Sequence, residues 1–401
     1  MITSPKKIQD IDNDFILSQA VSEQDWEFLD ADTQYLTHNM HRYSGKFIPQ
    51  IANRAINLLT KPDEIVLDPY CGSGTVLVEA ALMRRRGIGI DLNPLAVLIA
   101  SAKITPISTS DLTKLKIKMA ECVRELDANI SLPLFSNYVL NDRNNEPKNI
   151  DPRLNDPWYS KWFQKDVLND LVYIERTLQG ISDINIRKVG WIAFSDILRK
   201  SSNAHSGYPN VMFDKNATNK RRPGLTFLKS LDRVCSMVGS LTEKKDANWN
   251  NVTVKAGNAT ELKLADCSID AVITHPPYIG SIPYAEYGAL SLTWLGHDPK
   301  ELDRQLTGGR RQSMDVVKRF KLDFSKMISE AYRVLRPGRH AFLMVGNPVV
   351  RGEMIDLAQI TIELGKNAGF TLETVAERQG TNRRANKMGN EKLIFLRKPP
   401  Q

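Results

Sequence analysis

Two stretches of the chain alternate short apolar runs with longer mixed ones, and between them the alternation stops. From residue 49 the pattern predicts a helical run over Pro49–Leu59, then a strand "EIVLDP", a helix "GTVLVEAALMRRR", a strand "GIGID" and a helix "PLAVLIASAK". Short apolar runs bounded by glycine and proline read as buried strands, and longer runs with helical spacing as the helices between them. The pattern returns with "NVTVKAGNA" and "SIDAVIT". There follow an amphipathic helix "FSKMISEAYRVLRPG" ending at Pro-Gly, a strand "RHAFLMVGNP" and a helix "MIDLAQITIELGKNAG" stopped by glycine. Two strands close the pattern, "TLETVAERQG" and "EKLIFLRK", joined by the basic link "TNRRANKMGN". Strand–helix alternation of this kind predicts βαβ units around a parallel sheet.

Between residues 107 and 250 the chain reads helical and polar, with aromatic and charged pieces such as "DPWYSKWFQKDVLNDLVYIERTL" and "KNATNKRRPGLTFLKSLDRV". Plain loops rarely exceed ~12–15 residues, so this is an insertion with structure of its own. The expected fold class is α/β, a doubly wound, mostly parallel sheet carrying a largely helical insertion. Residues 1–37 form a mixed polar leader, 38–106 and 251–401 one domain, and 107–250 the insertion. Internal repeats and low-complexity tracts are not apparent.

The 401 residues are 42% hydrophobic and 25% charged, an ordinary globular composition. No apolar run approaches the ~20 residues of a spanning helix. The N-terminal stretch "MITSPKKIQDIDNDF" lacks the apolar core of a signal peptide. The expectation is a soluble cytoplasmic protein without a membrane partner. Cys71, Cys122, Cys235 and Cys267 are scattered without a C-x-x-C pair, which reads as packed, reduced thiols and suggests neither a disulfide framework nor a thiolate zinc site. Lys plus Arg number 54 against 46 Asp plus Glu, a net +8 that admits a polyanionic partner without requiring one.

Candidate chemistry begins at "VLDPYCGSGT" (66–75), where two glycines divide a strand from a helix. Such a turn lets a ligand approach the backbone and the free N–H groups of the helix start. It lacks the lysine of a phosphate-binding P-loop, and a plain tight βα connection would look similar. The next strand ends at Asp91, roughly 20 residues on, where doubly wound sheets place an acid against ribose hydroxyls. The pair predicts an adenosine-containing cofactor across the carboxyl ends of the strands. A third feature, "THPPY" (274–278), closes the apolar strand "IDAVIT" with two rigid residues and an aromatic ring.

Together "DPYCGSGT", "GIGIDLNP" and "THPPY" resemble the S-adenosylmethionine-dependent amino-methyltransferases of nucleic acids, which methylate adenine N6 or cytosine N4 in DNA. The resemblance covers 38–106 and 251–401 and leaves out the insertion. It implies a Rossmann-like methyltransferase fold and S-adenosylmethionine as cofactor, with no metal. Asp68, Tyr70, Gly72 and Gly74 would hold the methionine end, and Asp91 the ribose. "GNA" (257–259) matches a family segment that usually carries an acid in the middle. Asn258 stands there, and its amide oxygen can still accept from the adenine amino group. "HRYSGKFIP" (41–49) resembles the segment that closes over the methionine, making His41, Tyr43, Lys46 and Phe47 candidates. A simple helix entry would read the same way.

An exocyclic base amine is a weak nucleophile, so catalysis must orient it and meet its N–H groups with acceptors. In "HPPY", Pro276 and Pro277 fix the backbone, the Pro276 carbonyl offers one acceptor, and His275 offers another while its imidazole is neutral. Tyr278 can stack on a base turned out of the duplex. The family usually has aspartate, asparagine or serine in place of His275. A neutral-histidine role predicts activity falling as pH drops through ~6.5, while a histidine that only positions the loop predicts no such fall. P-P-Y by itself also fits a polyproline-like loop. No cysteine follows a proline, which argues against cytosine C5 chemistry.

"YAEYGALSLTWLG" (284–296) resembles the stretch after this motif in bacterial DNA enzymes, and with the Thr274-led "T-x-PPY" it favours cytosine N4 slightly over adenine N6. DNA is then the expected partner, with a cognate restriction endonuclease allowed. The insertion is the candidate DNA reader: it interleaves Trp158, Tyr159, Trp162 and Phe163 with Lys161 and Lys165, and carries "KNATNKRRP" (215–223). "GGRRQ" (308–312) and "TNRRANK" (381–387) are further basic loops. A helical cover packed on the sheet is the plainer reading of the insertion. The rivals for function are a tRNA guanine-N2 methyltransferase, which the glycine motif also resembles, and a non-catalytic nucleic-acid-binding protein of the same fold.

Overall fold

A computed structural model describes residues 17–130, 151–208, 210–218, 220, 222–279, 282–308, 315–350, 352–379 and 390–400. The basic stretch 381–387 and most of 308–312 lie outside them. Five strands run parallel: β1 (Ile65–Asp68), β2 (Arg86–Asp91), β3 (Val252–Ala256), β4 (Ile269–Thr274) and β5 (Leu335–Gly346). A two-residue pair, β6 (Val349–Val350) and β7 (Glu353–Met354), forms a small hairpin absent from the sequence reading. β8 (Thr371–Arg378) and β9 (Glu391–Arg397) complete a seven-stranded sheet in the order β3-β2-β1-β4-β5-β9-β8, with β9 antiparallel to both neighbours. The α/β, mostly parallel fold class therefore stands.

The inner strands are mostly apolar because both faces are covered, whereas the edge strands β3 and β8 are largely exposed, and the period of two sorts the side chains. Val66, Ala271, Ile273, Phe342 and Phe395 face the cluster built by α1 (Pro49–Leu59) and α2 (Thr75–Leu82). Leu67, Val272, Ala341, Leu343 and Ile394 face the other side. α2 is shorter than "GTVLVEAALMRRR" suggests: Arg84 takes φ +62° just after Leu82, and Arg86 already belongs to β2. α3 (Pro94–Lys103) follows β2, capped by the Asn93 side chain.

The insertion contributes α4 (Thr109–Ile130), α5 (Lys165–Gln179), α6 (Ile184–Ser201) and α7 (Gly224–Gly239). Its apolar faces join one cluster with Leu95, Ile99 and Ala102 of α3 and with Ala285, Leu290 and Leu292. Tyr159 and Phe163 are buried in that cluster, and Trp158 and Trp162 pack against it. Of the aromatic residues read as a DNA-facing set, Tyr159 and Phe163 are therefore core and Trp158 and Trp162 are half-buried at its edge, because a buried side chain contributes about 1.5–3 kcal/mol only if it leaves water.

α8 (Asp315–Val334) and α9 (Leu357–Ala368) flank the far part of the sheet. α8 stops before the Pro-Gly pair expected to end it, because Leu335 already pairs with Ile269 and residues 336–338 are taken into β5 across a register shift. Among the described residues no helix is long and apolar enough to cross a membrane. Cys71, Cys122 and Cys235 are buried, Cys267 is exposed, and all four are free.

Candidate active site

The parallel order β2-β1-β4 brings Asp91, Asp68 and His275 to one edge, since each stands at or just past the carboxyl end of its strand. The turn between β1 and α2 needs its glycines. Gly72 takes φ +48° and Gly74 φ +81°, and a Cβ on Gly74 would lie 2.8 Å from Ala100 Cβ in α3. Gly72 N–H donates to Asp91 Oδ2 at 2.8 Å, and Asn93 N–H donates to Oδ1 at 2.8 Å. With the Leu92 N–H also bonded to this carboxylate, its roughly four lone-pair sites still leave acceptor capacity.

Asp68 is braced differently. Its Oδ1 accepts from Thr274 Oγ1 at 2.7 Å and from Tyr70 N–H at 3.2 Å, so it ties β1 to β4 and shapes the turn. Burial pushes the Asp68 carboxyl up to about 7, against those hydrogen bonds and with Asp91 adding in the same direction. Burial likewise raises Asp91 to about 6, although backbone N–H groups of Asn93, Gly72 and Leu92 oppose it.

Tyr43, Tyr70, Gly72, Asp91, Asn258, His275 and Pro277 border a single crevice, together with Tyr284. Asn258 sits on an exposed corner, with its Oδ1 accepting from Thr260 N–H at 3.0 Å. Other predicted residues stand away from the crevice. Asp68 lies behind it, and Gly74 packs on α3. Lys46 turns its ammonium to the His38 carbonyl at 3.0 Å. Phe47 packs between His275 and Phe342, at ring separations of 5.2 and 6.2 Å. His41 hydrogen-bonds Ser195 at 3.0 Å in a neighbouring cavity. Pro276 is buried at the loop's foot.

Tyr278 differs most from its expected part. It is only 5% exposed, set edge-on to His275, with its hydroxyl held by His275 and Glu391. Its ring face is not offered to a base. Burial lowers His275 to about 4, with Arg378 acting the same way and Glu391 and the Gly45 backbone opposing. The pH fall expected near 6.5 is therefore moved well below the neutral range.

Several residues at this site escaped the sequence reading. Asn93 and Thr307 border the crevice, with Thr307 Oγ1 accepting from the Tyr70 hydroxyl at 3.3 Å. Glu391 and Arg378 reach the loop from β9 and β8, over a hundred residues along the chain. The one sequence signal for that pair is a charge at an end of each of two strands.

Beyond the Tyr43–Tyr284 pair, whose rings lie 6.0 Å apart, a second cavity of about 280 Å³ opens between α6 and residues 41–44. Arg42, Arg199, Lys200 and Lys220 border it, with Asp196 as the acidic exception.

Comparison with known proteins adds a family match and three relatives. A family model described as DNA methylase matches residues 11–102. The type II methyltransferase M.MvaI of Kocuria varians is 25% identical over 403 residues, spanning 84% of this chain and 83% of that protein. M.MjaII of Methanocaldococcus jannaschii, also a type II methyltransferase, is 26% identical across 63% of this chain and 61% of its own length. A tRNA (guanine(10)-N2)-dimethyltransferase of the same organism is 30% identical, across 37% of this chain and 38% of its own.

Proposed function

We propose, from its likeness to a DNA methylase family model and to two type II methyltransferases, that this chain is a DNA amino-methyltransferase that methylates an exocyclic base amine in DNA with S-adenosylmethionine, cytosine N4 in preference to adenine N6. The observation that carries this reading is the shared crevice: the Gly72–Asp91–Asn258 side and the His275–Pro277 side border one space. Asp91 fits the proposed cofactor because it has acceptor capacity left over after its backbone hydrogen bonds, and Gly72 fits because its backbone is open to close approach. Tyr43 and Tyr70 would wall the methionine portion, and Asn258 would meet the adenine. S-adenosylmethionine, when bound, supplies an electrophilic methyl group on a sulfonium sulfur.

The chain's own residues have three tasks in this reading. Pro276 and Pro277 hold the loop stiff, so that the Pro276 carbonyl and the His275 ring keep their places while the amine is oriented. His275, neutral near pH 7, accepts an amine hydrogen as the nitrogen becomes more tetrahedral. The cations of the second cavity would hold DNA phosphates, which gives the insertion a positioning part in DNA binding. A cognate restriction endonuclease is the cellular partner this reading admits.

Tritiated methyl transfer to DNA and to tRNA tests the substrate, and nucleoside mass analysis tests the base. N4-methylcytosine supports the reading in full. N6-methyladenine corrects the base, and label in tRNA alone would replace the reading by the guanine-N2 activity of the third relative.

A further inference from the structure

Four buried polar groups run away from the crevice in a line. His275 Nε2 lies 2.6 Å from the Tyr278 hydroxyl, and that hydroxyl lies 3.0 Å from Glu391 Oε1. Glu391 Oε2 accepts from Arg378 Nη1 at 2.7 Å. Tyr278, Arg378 and Glu391 are each less than a tenth exposed. A carboxylate paired with a guanidinium can only accept, so the single phenol hydrogen must go to Glu391. The phenol oxygen is then an acceptor toward His275, and Nε2 must carry the imidazole hydrogen. In a neutral ring that leaves Nδ1 with its lone pair. Nδ1 is buried and has no well-aligned hydrogen-bond partner among the described residues, although the Gly45 backbone stands close enough to favour the protonated ring and is the competitor that the relay must outweigh.

We propose that Glu391 is a positioning residue: through Tyr278 it fixes His275 as the Nε2–H tautomer and so keeps Nδ1 as the acceptor for a hydrogen of the target amine. This rests on the methyl-transfer reading for its purpose, and on hydrogen-bond direction for its content. An imidazole carries one donor and one acceptor that exchange places between tautomers, so the relay decides which face the loop presents. The amine reaches Nδ1 only if the Gly45 segment yields on base entry. Arg378 orients Glu391 in turn, which links the catalytic loop to the antiparallel end of the sheet.

The decisive substitution is Glu391→Gln. Arg378 still needs an acceptor, so the amide oxygen takes that side and the NH2 faces Tyr278. The phenol oxygen then accepts from the amide, its hydrogen turns to His275 Nε2, and the ring is driven to the Nδ1–H tautomer. Long-range 1H–15N spectra of the full chain, labelled at its six histidines, read this directly, with His275→Asn assigning the signal. The expected result is Nε2–H in the parent protein and Nδ1–H in E391Q. In E391Q kcat should fall by roughly 10²–10³-fold, on the scale of one lost transition-state hydrogen bond, with cofactor affinity unchanged.

Tyr278→Phe removes the relay without the carboxylate and should leave a mixture of tautomers. It and the parent spectrum serve if E391Q does not fold. An Nδ1–H tautomer in the parent, or an unchanged tautomer in E391Q, overturns the proposal. If the parent transfers no methyl group to DNA, the functional reading fails instead, while the spectra still decide what Glu391 does to His275.

Discussion

The carboxyl edge of the sheet and the helical insertion carry comparable mixtures of aromatic and charged residues, yet they use them in opposite ways. At the sheet edge, short motifs far apart in the chain meet because each ends a parallel strand. Asp68, Asp91 and His275 have their places set by the ends of β1, β2 and β4. In the insertion, the residues that look most ready to meet DNA bases are spent on packing. Phe163 and Tyr159 press their edges against Trp294, at centroid distances of 5.9 and 5.3 Å. What remains outward there includes charge, as at Lys200, whose side chain is 61% exposed, beside scattered apolar residues such as Ile184 and Tyr208. A motif at a strand end thus predicts place, whereas an aromatic cluster in a helix predicts burial first.

That contrast can be tested hardest at Phe163, which is 1% exposed. Phe163→Ala should cost about 3–5 kcal/mol of stability by leaving a cavity in a shared core. Because the same cluster reaches Leu95 and Ile99 of α3, thermal unfolding should remain a single transition that takes cofactor binding with it. An insertion that melts separately, leaving a sheet that still binds cofactor, would divide the molecule in two.

Next in size is Asp91→Asn. Losing a charged acceptor costs about 1.5–3 kcal/mol, so affinity for S-adenosylhomocysteine should fall roughly 10- to 150-fold with little loss of stability. Equilibrium dialysis measures it, and an unchanged affinity would take the ribose role from Asp91.

A pH series separates the acid from the histidine. Burial raises Asp91 to about 6, so the carboxylate is intact above that value and is neutralised as pH falls through it. Cofactor affinity should hold from about pH 8 to 7 and then weaken, approaching tenfold per unit well below 6. His275, lowered to about 4, stays neutral across this range, so kcat at saturating cofactor and DNA should be flat from about pH 5.5 to 8. A kcat that titrates near 6.5 would mean that the ring is more open to water than its burial implies.

The smallest effect belongs to the insertion surface. Lys200→Ala should weaken DNA binding only a few-fold and lower the salt slope by about one, leaving cofactor affinity intact. Its exposed pair with Asp196, at 3.2 Å, adds little stability to lose. If DNA binding is untouched, the second cavity is not where the backbone lies.

Much of the sheet was legible because it rests on local chemistry. A run such as "IDAVIT" must be buried on both faces, and a glycine pair between strand and helix must turn. The two missed helix ends share a cause: at Arg84 and at Leu335 tertiary pairing overrode a continuing helical pattern. Asn258 lay in the right segment, and Tyr43 in the right loop, since both flank strand or helix ends. Lys46 and Phe47, one and two residues past the crevice-lining Gly45, point elsewhere, because a loop turns its side chains by dihedral angles that spacing does not encode.

By itself the sequence determined the alternation, the strand ends and so the identity of the residues along one edge: periodicity and glycine placement are local properties of the chain. Only the tertiary structure decided the state of those residues. Burial keeps the imidazole neutral, and which of its nitrogens is free and how the tyrosine hydroxyl is held depend on Glu391 and Arg378. These arrive from strands more than a hundred positions away, through burial and hydrogen-bond direction that no short stretch contains.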